Sequence, residues 1–181
     1  MKATGIVRRI DDLGRVVIPK EIRRTMRIRE GDPLEIYTAK DGEVIFKKYS
    51  SIGELGQFAA AYAQSLFNTS GQAILICDRD TVIACAGMPK KECLEKSIAP
   101  ELDQLISNRQ SYKAGAGEQK NIPTIDQSEK YFAGVATPII CDGDVIGGVV
   151  FLSPESGQQL GEVEMKLAQS AADFLGRHME S

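Results

Sequence analysis

Seven basic side chains fall within residues 4–28: Arg8, Arg9, Arg15, Lys20, Arg23, Arg24 and Arg27, set against only Asp11, Asp12 and Glu21. A guanidinium is a planar fork of N–H donors that stays charged at any physiological pH, and its natural counterpart is a carboxylate or a phosphate. Packed at this density between short apolar runs, such groups suit the neutralisation of phosphates along a nucleic acid rather than the making of bonds. The rest of the chain sharpens the contrast. Residues 1–52 hold 12 basic and 8 acidic side chains, net +4, whereas residues 53–181 hold 10 and 17, net −7. The bland total of −3 conceals two electrostatically opposite pieces. A solvated basic face would carry the same charge, so the local pattern has to decide between the two.

Catalytic sets are absent from the sequence. It contains no Gly-x-Ser-x-Gly, no Walker-A loop, no His-Glu-x-x-His and no paired-metal cluster. The one histidine, His178, lies near the C-terminus, and the carboxylate pairs Asp78/Asp80 and Asp142/Asp144 fall in turn sequences where local hydrogen bonding accounts for them. The chain is therefore expected not to be an enzyme and to hold no metal. Cys77, Cys85, Cys93 and Cys141 form no Cys-x-x-Cys pair, and reduced, buried thiols are the expected state. There is no apolar leader, and no stretch approaches the roughly 18 apolar residues of a membrane span, so a cytoplasmic chain with no membrane partner is expected.

The elements that must position the arginines read as follows. Residues 4–10 and 15–18 read as strands around the turn Asp11-Asp12-Leu13-Gly14. Pro19 opens a helix on which Ile22 and Met26 share a face and Arg23, Arg24 and Arg27 point away, with Gly31 as its stop. Residues 34–38 and 44–48 form a hairpin around Lys40-Asp41-Gly42. Residues 1–50 form a first domain too small to bury a core alone, so a partner chain is needed. Residues 51–55 are a linker. Residues 56–181 form the second domain: an amphipathic helix over 52–67 leading in, strands at 72–77 and 82–86, a helix over 94–106 interrupted by Pro100, and a polar loop or lid over 113–130. Strands at 131–141 and 145–152 and a last helix over 158–178 follow. Along that last helix Leu160, Val163, Leu167, Ala171, Phe174 and His178 form a seam that serves either as core or as a contact with another chain. Gly147-Gly148 is expected to permit close strand packing.

With these residues set out, the first domain is recognisable. TGIVRRIDDLGRVVIPKEIRRTMRIREGDPLEIY, followed by a hairpin ending FKKY, resembles the AbrB-type swapped-hairpin DNA-binding domain over nearly all of residues 1–50, and DDLGRVVIPKEIRR is its most specific run. The second half, with AILICDRDTVIACAG and GDVIGGVVFLSP before a final helix, is similar to a GAF domain. The resemblance implies an α+β chain: an N-terminal swapped-hairpin β-barrel, completed as a domain-swapped dimer, and a C-terminal GAF-like α/β sandwich. It also implies a transcriptional regulator, activating and repressing sporulation genes in the forespore, with double-stranded DNA as partner. The positions matching the family's DNA-facing arginines are Arg8, Arg15, Arg23 and Arg24, with Arg9 an additional basic neighbour. Arg23 and Arg24 are adjacent on a helix, so one is expected to face DNA and the other to pair with Glu21 or Glu30.

For the GAF-like domain two roles stay open. One is sensing of an unidentified small molecule, in a pocket between the sheet and residues 88–130; no cofactor is readable, and the family's cyclic-nucleotide signature is missing. The other is oligomerisation into a homotetramer through the two terminal helices, which would add avidity without new DNA contacts. Two further readings compete with the whole: an antitoxin-like DNA-binding autoregulator, and a ligand-sensing adaptor that needs no DNA.

Overall fold

A computed structural model describes residues 5–115, 122–154, 156 and 158–179. Of the predicted loop over 113–130, residues 116–121 lie outside the described ones, as does residue 4 of the first predicted strand. The chain divides into two compact units, Met1–Tyr49 and Ser50–Ser181.

In the first unit the chain reverses at Asp11–Arg15. The Gly14 N–H donates to the Asp11 carbonyl (3.0 Å), the Asp11 N–H donates to the Arg15 carbonyl (3.1 Å), and Gly14 takes φ +75°. This is the three-residue hairpin turn that needs a left-handed residue at its fourth position. The same geometry recurs between β1 (Leu34–Thr38) and β2 (Val44–Lys48), where Gly42 donates to Ala39 (3.1 Å), Ala39 donates to Glu43 (2.9 Å), and Gly42 has φ +80°. The second turn leads into a ladder running from Leu34 opposite Lys48 to Thr38 opposite Val44. The first does not. Residues 5–10 and 15–18, predicted as strands, join no ladder among the described residues. Their apolar side chains remain in solvent, with Val7 84%, Ile10 73% and Val17 71% exposed. A strand exists only by pairing, and no ladder forms on these two arms among the described residues.

Between them α1 (Lys20–Thr25) follows Pro19, whose φ of −57° already suits a helix and whose carbonyl accepts from Arg23 (3.0 Å). The helix ends earlier than Gly31. Ile28 donates to the Arg23 carbonyl (2.7 Å), Arg27 donates to Arg24 (3.2 Å), and Arg27 sits at φ +52°. That pair of bonds is the helix-terminating motif in which a left-handed residue satisfies the last carbonyls. An arginine fills the position glycine usually takes, which the sequence pattern did not reveal. The Lys48 ammonium then fastens β2 to the helix end, donating to the Arg27 carbonyl (2.9 Å) and pairing with Asp32 (3.7 Å). Pro19 is the one fully buried residue among the described residues of this unit. The unit has turns, a hairpin and a helix, but no core of its own.

The second unit is a three-layer sandwich. Residues 51–55, expected as a linker, hold instead the short helix α2 (Ser51–Glu54), capped by the Ser50 hydroxyl accepting from Gly53 N–H (3.1 Å), with Ile52 fully buried. Next come α3 (Gly56–Ser70), β3 (Ile74–Asp78), β4 (Val82–Ala86), α4 (Lys90–Cys93), α5 (Pro100–Ser107), β5 (Tyr112–Lys113), β6 (Ala133–Cys141), β7 (Asp144–Leu152) and α6 (Glu162–Met179). The sheet is antiparallel throughout, in the order β4-β3-β7-β6-β5. Alternation along the strands serves both faces. Ile74, Ile76, Val149 and Phe151 pack under α3 and α6, while Leu75, Cys77 and Val150 pack under α4, α5 and residues 122–132.

Three expectations change here. Pro100 opens α5 at its first turn rather than interrupting a helix begun at residue 94, because the missing N–H is harmless there. α4 and β5 are additional elements, too short to show a periodicity. Cys85 and Cys93 are joined in a disulfide between β4 and α4, Cα atoms 6.9 Å apart, where reduced thiols were expected. Cys77 remains a free, buried thiol that burial pushes well above the ordinary thiol range. Gly147 lies where a Cβ would stand 2.1 Å from the Cys77 carbonyl, so β7 approaches β3 more closely there than any side chain permits.

Candidate nucleic-acid interface

Asp11 builds the corner that carries Arg15. One carboxylate oxygen accepts from the Arg15 N–H (2.8 Å) and the Leu13 N–H (3.1 Å); the other accepts from the Arg15 guanidinium Nε (2.8 Å). The Arg15 backbone bond, then its guanidinium, hold the Asp11 carboxyl below its ordinary value. An aspartate at the head of a turn commonly bonds backbone two residues on; this one also grips the side chain that closes the turn. Arg15 keeps 71% of its side chain exposed, so the grip orients the guanidinium without hiding it. Being so exposed, the ion pair itself adds little stability.

Arg8 and Arg9 lie on the unpaired arm before this turn, both exposed, with Arg8 donating to the neighbouring Val7 carbonyl (3.2 Å). On α1 the two adjacent arginines differ: Arg24 is exposed and Arg23 is half-buried. No ion pair joins either to Glu21 or Glu30 among the described residues, so the expected pairing is not made. Instead the Arg23 Nε is buried without a hydrogen-bond partner. A guanidinium N–H left that way is costly. Asp11 and Lys48 are the residues of this unit whose roles sequence reasoning missed. Asp11 was read only as part of a turn, although its spacing of four from Arg15 was there to be seen.

The second unit presents a different chemistry. Residues 116–121 of the predicted pocket's wall lie outside the described residues, and behind α5 the sheet is covered by core side chains, among them Leu102, Ile106 and Ile125. A groove of about 430 Å³ lies between α3, β4 and the start of the 88–130 segment, lined by Gln57, Ala60, Ile83, Cys85, Lys90 and Leu94. On the outer side of α3 and α6, Phe58 stacks on Phe174 (5.8 Å between centroids) and His178 (5.1 Å), and Tyr62 lies 5.6 Å from Phe174. The seam along the last helix divides accordingly. Leu160 and Ala171 are core, whereas Val163 and Phe174 stay exposed. Among the described residues no group of three or more His, Cys, Asp or Glu side chains is placed to hold a metal, and no helix is long and apolar enough to cross a membrane.

Comparison with known proteins places both units. Residues 54–180 match the family model described as stage V sporulation protein T C-terminal, transcription factor, and residues 7–54 match that of antidote-toxin recognition MazE, bacterial antitoxin. The chain is 54% identical to stage V sporulation protein T of Bacillus subtilis over 99% of both chains. Its first unit is of AbrB type, 63% identical over 49 residues to the transition state regulatory protein AbrB of Bacillus subtilis, covering 27% of this chain and 50% of that protein. Among solved structures, a GAF domain from A. aeolicus (TM-score 0.50, 12% identity) is matched over 71% of this chain and 88% of its own. A type II free methionine-R-sulfoxide reductase from Thermoplasma acidophilum (TM-score 0.52, 11% identity) is matched over 71% and 94%. These two share the fold of the second unit and nothing further is taken from them. An AbrB-type first unit, a GAF-like second unit and this identity along nearly the whole length lead to one conclusion: the chain belongs to the stage V sporulation protein T family.

Proposed function

We propose that this chain is a DNA-binding transcriptional regulator of sporulation genes that binds double-stranded DNA through Arg8, Arg9, Arg15, Arg23 and Arg24 of paired first units. The observation that carries the pairing is the contrast between two turns of the same geometry. One leads into a closed ladder, and the other opens into two apolar arms that this chain leaves in water. A second copy supplies the missing strands. Burying Val7, Ile10, Leu13 and Val17 against it contributes roughly 1.5–3 kcal/mol for each side chain. Pairing also doubles the basic surface, and a set of arginines without a recognition helix suits contacts to phosphates and to groove shape more than a strict base code. A regulator of this kind works in the cytoplasm and does no catalysis. The test is binding of double-stranded promoter DNA by the full chain as salt is varied; no binding at physiological salt would leave the adaptor reading instead.

The ring cluster favours a second level of assembly. Phe58, Tyr62, Phe174 and His178 form an apolar, partly exposed surface on the two helices that flank the sheet. Two such surfaces facing each other would join two dimers into a tetramer, raising the effective concentration of the second DNA-binding face. Sedimentation of the full chain checks this: wild type runs as a tetramer and Phe174→Glu as a dimer that still binds DNA. A Phe174→Glu chain that stays tetrameric would place the contact elsewhere. Ligand sensing would use the groove beside β4, for which no ligand is assigned. The antitoxin reading is the weaker one, because the chain continues past residue 54 into a unit matching a transcription-factor family.

A further inference from the structure

We propose that Cys85 and Cys93 form a reversible dithiol–disulfide site, oxidised by a low-molecular-weight disulfide that enters the groove between α3, β4 and α4.

Three observations lead there. The two sulfurs are bonded across the boundary between the edge strand of the sheet and a one-turn helix. The two differ in access. Cys85 lines the groove and keeps 5% of its surface exposed, whereas Cys93 is fully buried. Lys90 and Glu95 line the same groove, which gives a charged small disulfide polar partners at its wall. The remaining thiols lack this combination. Cys77 is fully buried between sheet and α5 with its thiol pushed upward by burial, and Cys141 lies at the far end of β6.

The access difference orders the chemistry. The Cys85 thiolate attacks one sulfur of the small disulfide, forming a mixed disulfide and expelling one small thiolate, which takes up a proton. The Cys93 thiolate then attacks the Cys85 sulfur and expels the second small thiolate. Two electrons pass from the protein dithiol to the small disulfide, and the two thiol protons end on two released small thiols. Reduction by a small thiol reverses each step.

The bond has a structural consequence because α4 is also held from its other side. Glu92 accepts from Lys130 Nζ (2.7 Å) and from the Tyr131 hydroxyl, and the Tyr131 carbonyl accepts from Thr124 N–H and Oγ1 (3.0 Å each). Closing the disulfide therefore fixes β4, α4 and residues 122–132 as one frame along the wall of the groove. Opening it removes that covalent link and leaves the Glu92 contacts, with the backbone bonds of Glu95 N–H to the Val82 carbonyl (2.8 Å) and of Val82 N–H to the Lys96 carbonyl (2.9 Å), to hold this corner.

The test uses the full chain, reduced, then incubated with oxidised glutathione at neutral pH. Thiol titration in denaturant should show two of the four thiols lost, with a mass lower by two hydrogen atoms and a single cross-linked peptide joining Cys85 to Cys93. Dithiothreitol should restore all four. In Cys93→Ser the absent resolving thiol should leave glutathione on Cys85, and in Cys85→Ser no adduct should form on Cys93. Four titrating thiols after incubation, a cross-link through Cys77 or Cys141, or an adduct on Cys93 in Cys85→Ser would each overturn the proposal. The wild-type titration stands even if a variant folds poorly.

Discussion

Arg15 illustrates how one side chain is made ready. Its backbone closes a turn, and the residue that opens the turn, Asp11, holds both its N–H and its guanidinium. Removing Asp11 has two opposed consequences for an anionic partner. It deletes a negative charge, which by itself would tighten binding, and it frees the turn, which costs the ordering of Arg15. With the lost ordering set against the charge gained, a net cost of about 1 kcal/mol corresponds to DNA binding weakened about fivefold in Asp11→Ala; tighter binding in a fluorescence titration would show that Asp11 acts only as a counter-charge. The pH dependence follows from the same bonds. The folded carboxyl is held below its ordinary value, so its stabilisation of the turn is present at neutral pH and is lost as pH falls through that depressed value.

At the scale of elements, backbone approaches decide what can be changed. A Cβ at Gly176 would stand 2.1 Å from the Ile140 carbonyl, which places α6 directly on the backbone of β6. Backbone cannot yield as a flexible side chain does. Gly176→Ala is therefore expected to lift the helix and destabilise the second unit by roughly 1–3 kcal/mol, in spite of alanine's better helix propensity; a melting temperature that rises instead would mean that α6 rides higher on the sheet than described. The sequence made several elements legible and hid others for physical reasons. The 34–48 hairpin and strand β4 appear at their predicted positions because alternation and turn residues agree there. The short helix α4 was invisible because one turn carries no period, and the end of α1 was missed because an arginine stands where glycine would signal a stop. The expected linker at 51–55 follows Ser50 and opens on Ser51 and Gly53, a linker-like composition, yet Ile52 is core.

For the whole molecule, charge and family resemblance spoke clearly. The basic first segment and acidic remainder were readable by counting, and the fold classes of both units by their motifs. What the sequence withheld was how the arms at residues 5–10 and 15–18 find partners, since a strand completed by another chain looks the same in sequence as one completed at home. The exposed arms and the ring cluster on α3 and α6 are the features on which the proposed pairing of copies rests. The central claim is that the arginines of the first unit neutralise phosphates. It is tested most directly by the slope of log affinity against log salt for the full chain on double-stranded DNA, compared between wild type, Arg15→Ala and the double variant Arg8→Ala with Arg15→Ala. Each arginine lost from a dimer removes two phosphate contacts, so the slope should become shallower by about 2 for one substitution and about 4 for both, with weaker binding throughout. An unchanged slope in the double variant, at whatever affinity, would contradict the account.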